Sequence, residues 1–261
     1  MCCNMVPAIR LTDICVTYRA YKDRPATFKE SVLKLFREGF TQTYTEFEAL
    51  SHVGFEVEKG KVLGIIGSNG AGKSTLLKVL AGVLPPTSGS VEVNGSIDSL
   101  ISLGAGFDAD LNAIENIYLH GALYGRTRNE IKERVDSILE FAELQDFATT
   151  PIRYYSSGMF ARLGFSVAID RSPDILIVDE VLAVGDERFT DKCRGVFDSH
   201  IKSGRTIVMV SHTLDLLKDV ANEIAVMSRG KLVFRGNPSE AIEFYRDPSY
   251  QTALTNNVQS A

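Results

Sequence analysis

Apolar and polar residues alternate through Ile9-Arg-Leu-Thr-Asp-Ile-Cys-Val-Thr-Tyr18, which predicts a half-buried strand. A second strand is expected at Phe55 to Glu58, after an unusually long gap. Within the intervening stretch, Arg19 to Phe47, the residues Phe28, Val32, Leu35, Phe36 and Phe40 share one helical face. Lys29, Glu30, Lys34, Arg37 and Glu38 fall elsewhere, the pattern of an amphipathic helix of about three turns. Such a helix either covers the core of its own domain or docks near a membrane partner. Val62 to Ile66 is a continuous apolar run, and the residues from Thr75 onward take helical spacing, so this part reads strand, tight loop, helix. Gly89 to Gly95 and Ile97 to Leu103 read as two further strands.

From Asp110 to Arg171 the pattern turns helical. One helix is expected over Asn112 to Tyr124, and Thr127-Arg-Asn-Glu130 is a capping box that opens another, running to about Glu143. A third begins at Ser157-Gly158 and carries Met159, Leu163, Phe165, Val167 and Ala168. This block reads as a helical subdomain inserted into an α/β core. Apolar strands then resume at Ile175 to Val178, Thr206 to Val210, Glu223 to Met227 and Lys231 to Phe234. In the closing helix Asn237 is the cap, Pro238 the first residue and Glu240 the third. The polar stretch from Pro248 lacks periodicity and is expected to be disordered.

The chemistry centres on Gly67-Ser68-Asn69-Gly70-Ala71-Gly72-Lys73-Ser74-Thr75. Between a strand and a helix this spacing makes a phosphate loop: glycines turn backbone N–H groups inward, and the helix start adds partial positive charge. Lys73 reaches the outer phosphates of a nucleotide, and Ser74 places its hydroxyl on Mg²⁺. Asp179 and His212 follow buried strands, and ligands of parallel sheets bind beyond such carboxyl ends. A carboxylate there needs a cation, either Mg²⁺ or a neighbouring lysine or arginine. Glu180 is either the group that polarises an attacking water or a solvated loop acid. His212 is placed to contact the γ-phosphate.

The net charge of −5 over 261 residues argues against the broad basic surface of a nucleic-acid binder. No run of about 18 apolar residues is present and Met1 to Pro7 lacks signal-peptide features, so the chain is expected in the cytoplasm. Cys2, Cys3, Cys15 and Cys193 show no metal-binding spacing and are expected to remain reduced thiols.

Gly67 to Thr75, Tyr155-Ser156-Ser157-Gly158-Met159, Ile175 to Glu180 and His212 together resemble the nucleotide-binding subunit of an ATP-binding-cassette (ABC) transporter, over about residues 9 to 245. The resemblance implies an α/β P-loop NTPase core with an antiparallel β subdomain and an inserted helical subdomain, one nucleotide-binding domain over residues 1–247. The helical subdomain takes about 110–171, and a helical insertion takes about 21–45. It also implies ATP and Mg²⁺, and a homodimer in which Ser156, Ser157 and Gly158 of one copy close over the phosphate loop of the other. Asp186 matches the aspartate of the family's next loop, and Tyr18, or Tyr21 in its place, the aromatic residue that stacks on adenine.

The sequence departs from the family pattern at Ser157 and Met159, and Leu103-Gly-Ala-Gly-Phe107 lacks the glutamine usual after that strand. These departures resemble exporters of lipid-linked surface polysaccharides such as O-antigen, capsule and teichoic acid. A permease partner, lipid-linked polysaccharide cargo and a place at the cytoplasmic face of the membrane are implied, and no nucleic acid. The same ATPase serving a drug or lipid exporter, or an importer, is the alternative. A non-transport switch of this fold would carry a long coiled coil or a second cassette, and neither feature is found in the sequence.

Overall fold

The computed structural model describes residues 6–21, 44–100, 103–179 and 186–247. The expected helix around Phe28 to Phe40, the residues Cys2, Cys3 and Glu180, and the tail from Pro248 lie outside these described residues. Two sheets organise what is described. The smaller is antiparallel, in the order β2 (Tyr44–Val57), β1 (Ile9–Tyr21), β4 (Ser88–Val93). The larger runs β5 (Ile97–Ser99), β6 (Ile175–Asp179), β7 (Thr206–Val210), β3 (Val62–Gly67), β8 (Glu223–Ser228), β9 (Lys231–Gly236). Its first five strands are parallel, and β9 closes the edge antiparallel to β8.

Two expectations are corrected by the strands. β2 starts at Tyr44 rather than Phe55, so residues 44–47 are strand, and the interstrand insertion does not reach 45. Tyr44 to Glu48 are all exposed, so no apolar alternation marks them; cross-strand pairing with β1 out to Tyr21↔Tyr44 makes the strand instead. β5 ends at Ser99 instead of Leu103, because Leu103–Gly106 forms a turn.

The parallel strands are apolar on both faces, and alternate residues divide cleanly between two cores, as expected for a sheet covered on both sides. Leu63, Ile65, Ile175, Ile177, Val208, Val210, Ala225 and Met227 join the small sheet and α1 (Lys73–Leu80), which contributes Leu76, Leu77 and Leu80. Val62, Ile66, Leu176, Val178, Ile207, Met209, Ile224 and Val226 face the other way, onto α5 (Glu187–Lys202), α6 (Leu214–Val220) and α7 (Pro238–Arg246). α5 and α6 stand in addition to the elements expected from the sequence.

The helical block is α2 (Ala113–Leu123), α3 (Arg128–Ala142) and α4 (Ser157–Ile169), with a core of its own around Ile117, Ile131, Ile138 and Leu163. The expected capping box of Thr127 with Glu130 is present, and the structure adds a second, Asn112 with Glu115. α4 serves two cores, sending Leu163 and Val167 to the helical block and Phe165 and Ala168 to the sheet side. Phe165 packs edge-on against Phe189 and Phe197 of α5, with ring centroids 6.0 and 6.2 Å away. Arg171, after α4, pairs with buried Asp98 of β5 at 2.9 Å. Burial pushes the Asp98 carboxyl up and Arg171 partly offsets it.

His120 of α2 lies beside this joint, and burial, then the charges of Arg171 and Arg126, push it down to about 4 from 6.5. The folded chain therefore holds it neutral where an unfolded histidine already takes a proton. Its contribution to stability is complete above about pH 6.5 and is lost as the pH falls toward about 4. Replacing His120 by asparagine is expected to flatten the decline in denaturant-measured stability over that window. An unchanged slope would place the acid sensitivity elsewhere.

Candidate functional site

β3 ends at Gly67 and α1 begins at Lys73, so the glycine-rich loop joins a buried strand to a helix start, as its spacing predicts. Gly70 and Gly72 hold φ of 78° and 99°, which glycine adopts without the penalty of a side chain. Gly72 is the N-cap of α1 and supplies no side-chain acceptor, so the first-turn N–H groups, which helix geometry leaves without partners, are available to an anion. A Cβ on Gly72 would stand 2.7 Å from the carbonyl oxygen of Ala49, whereas one on Gly70 would meet nothing within 4 Å. The loop is thus closely backed on the protein side and open on the other.

Its backing comes from remote segments. The Gly230 N–H, in the β8–β9 turn, donates to the Ala71 carbonyl at 2.9 Å, and the Ser51 N–H of β2 donates to the Gly230 carbonyl at 2.8 Å. Both sheets therefore hold the loop.

Over the loop lies a cavity of about 480 Å³. Asn69 to Thr75 form its floor, and Tyr18, Asp179 and His212 stand around it. Lys73 Nζ donates to the carbonyl oxygens of Gly67 and Ser68 at 2.8 and 3.0 Å, which draws the side chain along the loop. Burial lowers the Lys73 pKa, and the nearby Asp179 charge opposes the shift. Burial raises that of Asp179, and Lys73, His212 and Lys78 oppose it. Both groups are thus partly stripped of water, a setting in which each gains from a further partner of opposite charge.

The arrangement fits a magnesium-bound nucleotide. Among the described residues no cluster of three or more metal-ligating side chains is found. Mg²⁺ is held in such sites by one or two protein oxygens plus phosphates and water, and Ser74 and Asp179, both lining this cavity, are oxygen donors of the kind that would fit it.

The other expected site residues divide. Tyr18 lies at the cavity, 40% exposed, while Tyr21 is the last residue of β1. Ser156, Ser157 and Gly158 are not part of the cavity wall. They form the start of α4, where the Ser156 hydroxyl accepts from the Met159 N–H at 3.2 Å, and both serines are exposed. Asp186 is the N-cap of α5, accepting from the Phe189 N–H at 2.9 Å, and it also meets Arg162 of α4 at 2.8 Å. The backbone bond first, and the Arg162 charge, hold its carboxyl below the usual range. Arg162 also pairs with Glu143 at 3.1 Å, so one side chain from the middle of α4 ties the end of α3 to the start of α5. The turn at Leu103–Gly106 packs against α4: a Cβ on Gly164 would lie 2.8 Å from the Gly104 nitrogen.

Phe47 and Ala49 of β2 and Val210 of β7 also line the cavity, and the sequence pattern does not reveal Phe47, since residues up to it read there as insertion. The available signal is a lone phenylalanine, Phe47, among the polar residues that precede Ala49 and Leu50.

A family model described as ABC transporter matches residues 50–183. An O-antigen export system ATP-binding protein of Klebsiella pneumoniae is 40% identical over 242 residues, covering 93% of this chain and 98% of the relative. The chain belongs to the ABC transporter family.

Another such O-antigen export protein, from Myxococcus xanthus, is 41% identical over 92% of this chain, which spans 56% of that relative's length. A teichoic acids export ATP-binding protein of Shouchella clausii is 37% identical over 93% of this chain and 66% of its own. Solved structures share the ABC ATPase fold at low identity. An ATP-binding subunit of an ABC transporter superposes with a TM-score of 0.70 at 18% identity, over 97% of this chain and 99% of that one. A dimeric ATP-binding cassette bound to ADP and Pi gives 0.68 at 19%, over 88% and 98%. Within the ABC family fold, the phosphate loop, Asp179 and His212 stand together at the carboxyl edge of the parallel strands.

Proposed function

We propose that this chain is the ATP-hydrolysing subunit of an ABC exporter that moves lipid-linked cell-surface polysaccharide across the cytoplasmic membrane. The cavity that combines the phosphate loop and Lys73 with Asp179 and His212 supports ATP as the fuel. In this reading the N–H groups of the loop and Lys73 take the phosphates, and Tyr18 stacks on the adenine. Ser74 and Asp179 would hold Mg²⁺, which supplies neutralisation of phosphate charge. Glu180, next in sequence to Asp179, polarises the attacking water, and His212 contacts the γ-phosphate.

The exposed start of α4 belongs over the loop of a second copy, giving two composite sites per homodimer. ATP closes the pair and hydrolysis opens it, a motion passed to an integral-membrane permease, so the chain works at the cytoplasmic face as a peripheral subunit. The polysaccharide assignment draws support from the names of relatives about 40% identical over more than nine-tenths of this chain.

The test is ATP hydrolysis by the purified chain, alone and reconstituted with the permease encoded beside it, with and without lipid-linked glycan. Stimulation by glycan is expected. ATPase activity indifferent to both permease and glycan would keep the ATPase and overturn the cargo.

A further inference from the structure

β4 leaves β1 after the Cys15↔Ser88 pair, but β1 and β2 stay paired beyond it as a two-stranded ribbon, through Thr17↔Glu48, Tyr18↔Phe47 and Arg19↔Glu46. Directly opposed residues of an antiparallel pair project from one face, with Cβ atoms about 5 Å apart. Tyr18 and Phe47 therefore stand side by side, and both line the cavity over the phosphate loop. Their neighbours across the ribbon are polar: Arg19 and Glu46 form an ion pair at 3.1 Å.

Phe47 is 62% exposed and has no polar atom to offer water, so solvent gives it no favourable role there. A nucleobase is a planar partner that removes water from an aromatic face, and base stacking on such rings is a recognised source of affinity. Two opposed aromatic side chains at one cavity offer a planar purine more face than one does.

We infer that Phe47 is a second base-contacting residue, forming with Tyr18 a paired aromatic wall for the adenine. The inference rests on the reading of this cavity as a nucleotide site. Loss of either ring leaves the other in place, so each single substitution weakens ATP binding and the double substitution weakens it further. Inorganic tripolyphosphate has no base, so it is insensitive to both.

Calorimetric titration of the full chain with ATP and with tripolyphosphate provides the first measurement. Phe47→Ala is expected to weaken ATP about tenfold and leave tripolyphosphate unchanged. The chain contains no tryptophan, so Phe47→Trp introduces a single reporter at this position. ATP is expected to quench its emission, and tripolyphosphate to leave it as it was.

ATP affinity in Phe47→Ala equal to that of the parent overturns the inference while the nucleotide site stands. So does a Phe47→Trp emission that ignores ATP already shown by calorimetry to bind. Equal losses for ATP and tripolyphosphate also overturn it, since they report a damaged loop. A parent chain that binds neither ATP nor tripolyphosphate overturns the nucleotide reading and this inference with it.

Discussion

Replacing Lys73 by alanine is expected to lower ATP turnover by about 100- to 1,000-fold, the usual cost of removing a preorganised donor from a reacting anion. Lys73 is 9% exposed, and its ammonium is held by two loop carbonyls, Gly67 at 2.8 Å and Ser68 at 3.0 Å. Little solvent reorganisation is then needed when a phosphate approaches, and the charge acts with weak screening. Alanine removes the cation and leaves both carbonyls without that donor. Arginine is not expected to restore turnover, because its planar fork does not reproduce the compact ammonium that bonds the Gly67 and Ser68 carbonyls. Steady-state hydrolysis, paired with calorimetric titration of ATP, measures the effect. Turnover within about threefold of the parent would remove Lys73 from the phosphate-binding role.

Asp179→Asn is the second large effect, expected at about 100-fold in turnover with Mg²⁺ present. The side chain sits at the end of β6 beside the cavity, where burial already disfavours its charge and Lys73, His212 and Lys78 compensate. Asparagine keeps the shape and removes the charge, so the packing of β6 between β5 and β7 is retained. The loss should therefore appear in magnesium dependence. Calorimetry is expected to show ATP binding without Mg²⁺ preserved, since a carboxylate no longer repels the phosphates, while added Mg²⁺ no longer strengthens it. Unchanged enhancement of binding by Mg²⁺ would assign the metal to other oxygens. Taken together, the two substitutions separate phosphate binding from metal binding in one cavity.

Elements whose chemistry is local are legible in the amino-acid sequence. Thr127 and Asn237 carry the signature of helix starts, and each caps a helix through its own side chain. The apolar run Thr206 to Val210 predicts a strand and is one, residue for residue. Asn116 shows where such reading stops: it is fully buried, and its amide binds the carbonyls of Asp108, Leu111 and Asn112 to fold the loop ahead of α2. An asparagine on a helix face gives no sign of such bonds until that loop is in place. α5 is also locally encoded: Phe189, Cys193 and Phe197 recur at four-residue spacing among charged neighbours and form its buried stripe.

The residues of the phosphate loop, the carboxylate that ends β6 and the histidine after β7 were legible in the sequence alone, because short-range spacing dictates a strand, a turn or a helix start. Only tertiary structure decided that Ala49, Ser51 and Gly230 would back the loop, since those contacts join segments remote in sequence. It likewise decided that Phe47 would reach the cavity, through cross-strand register with Tyr18 along an exposed ribbon. The physical reason is the same in each case. Local propensity depends on neighbours along the chain, whereas a cavity wall depends on which strands pair and in what register.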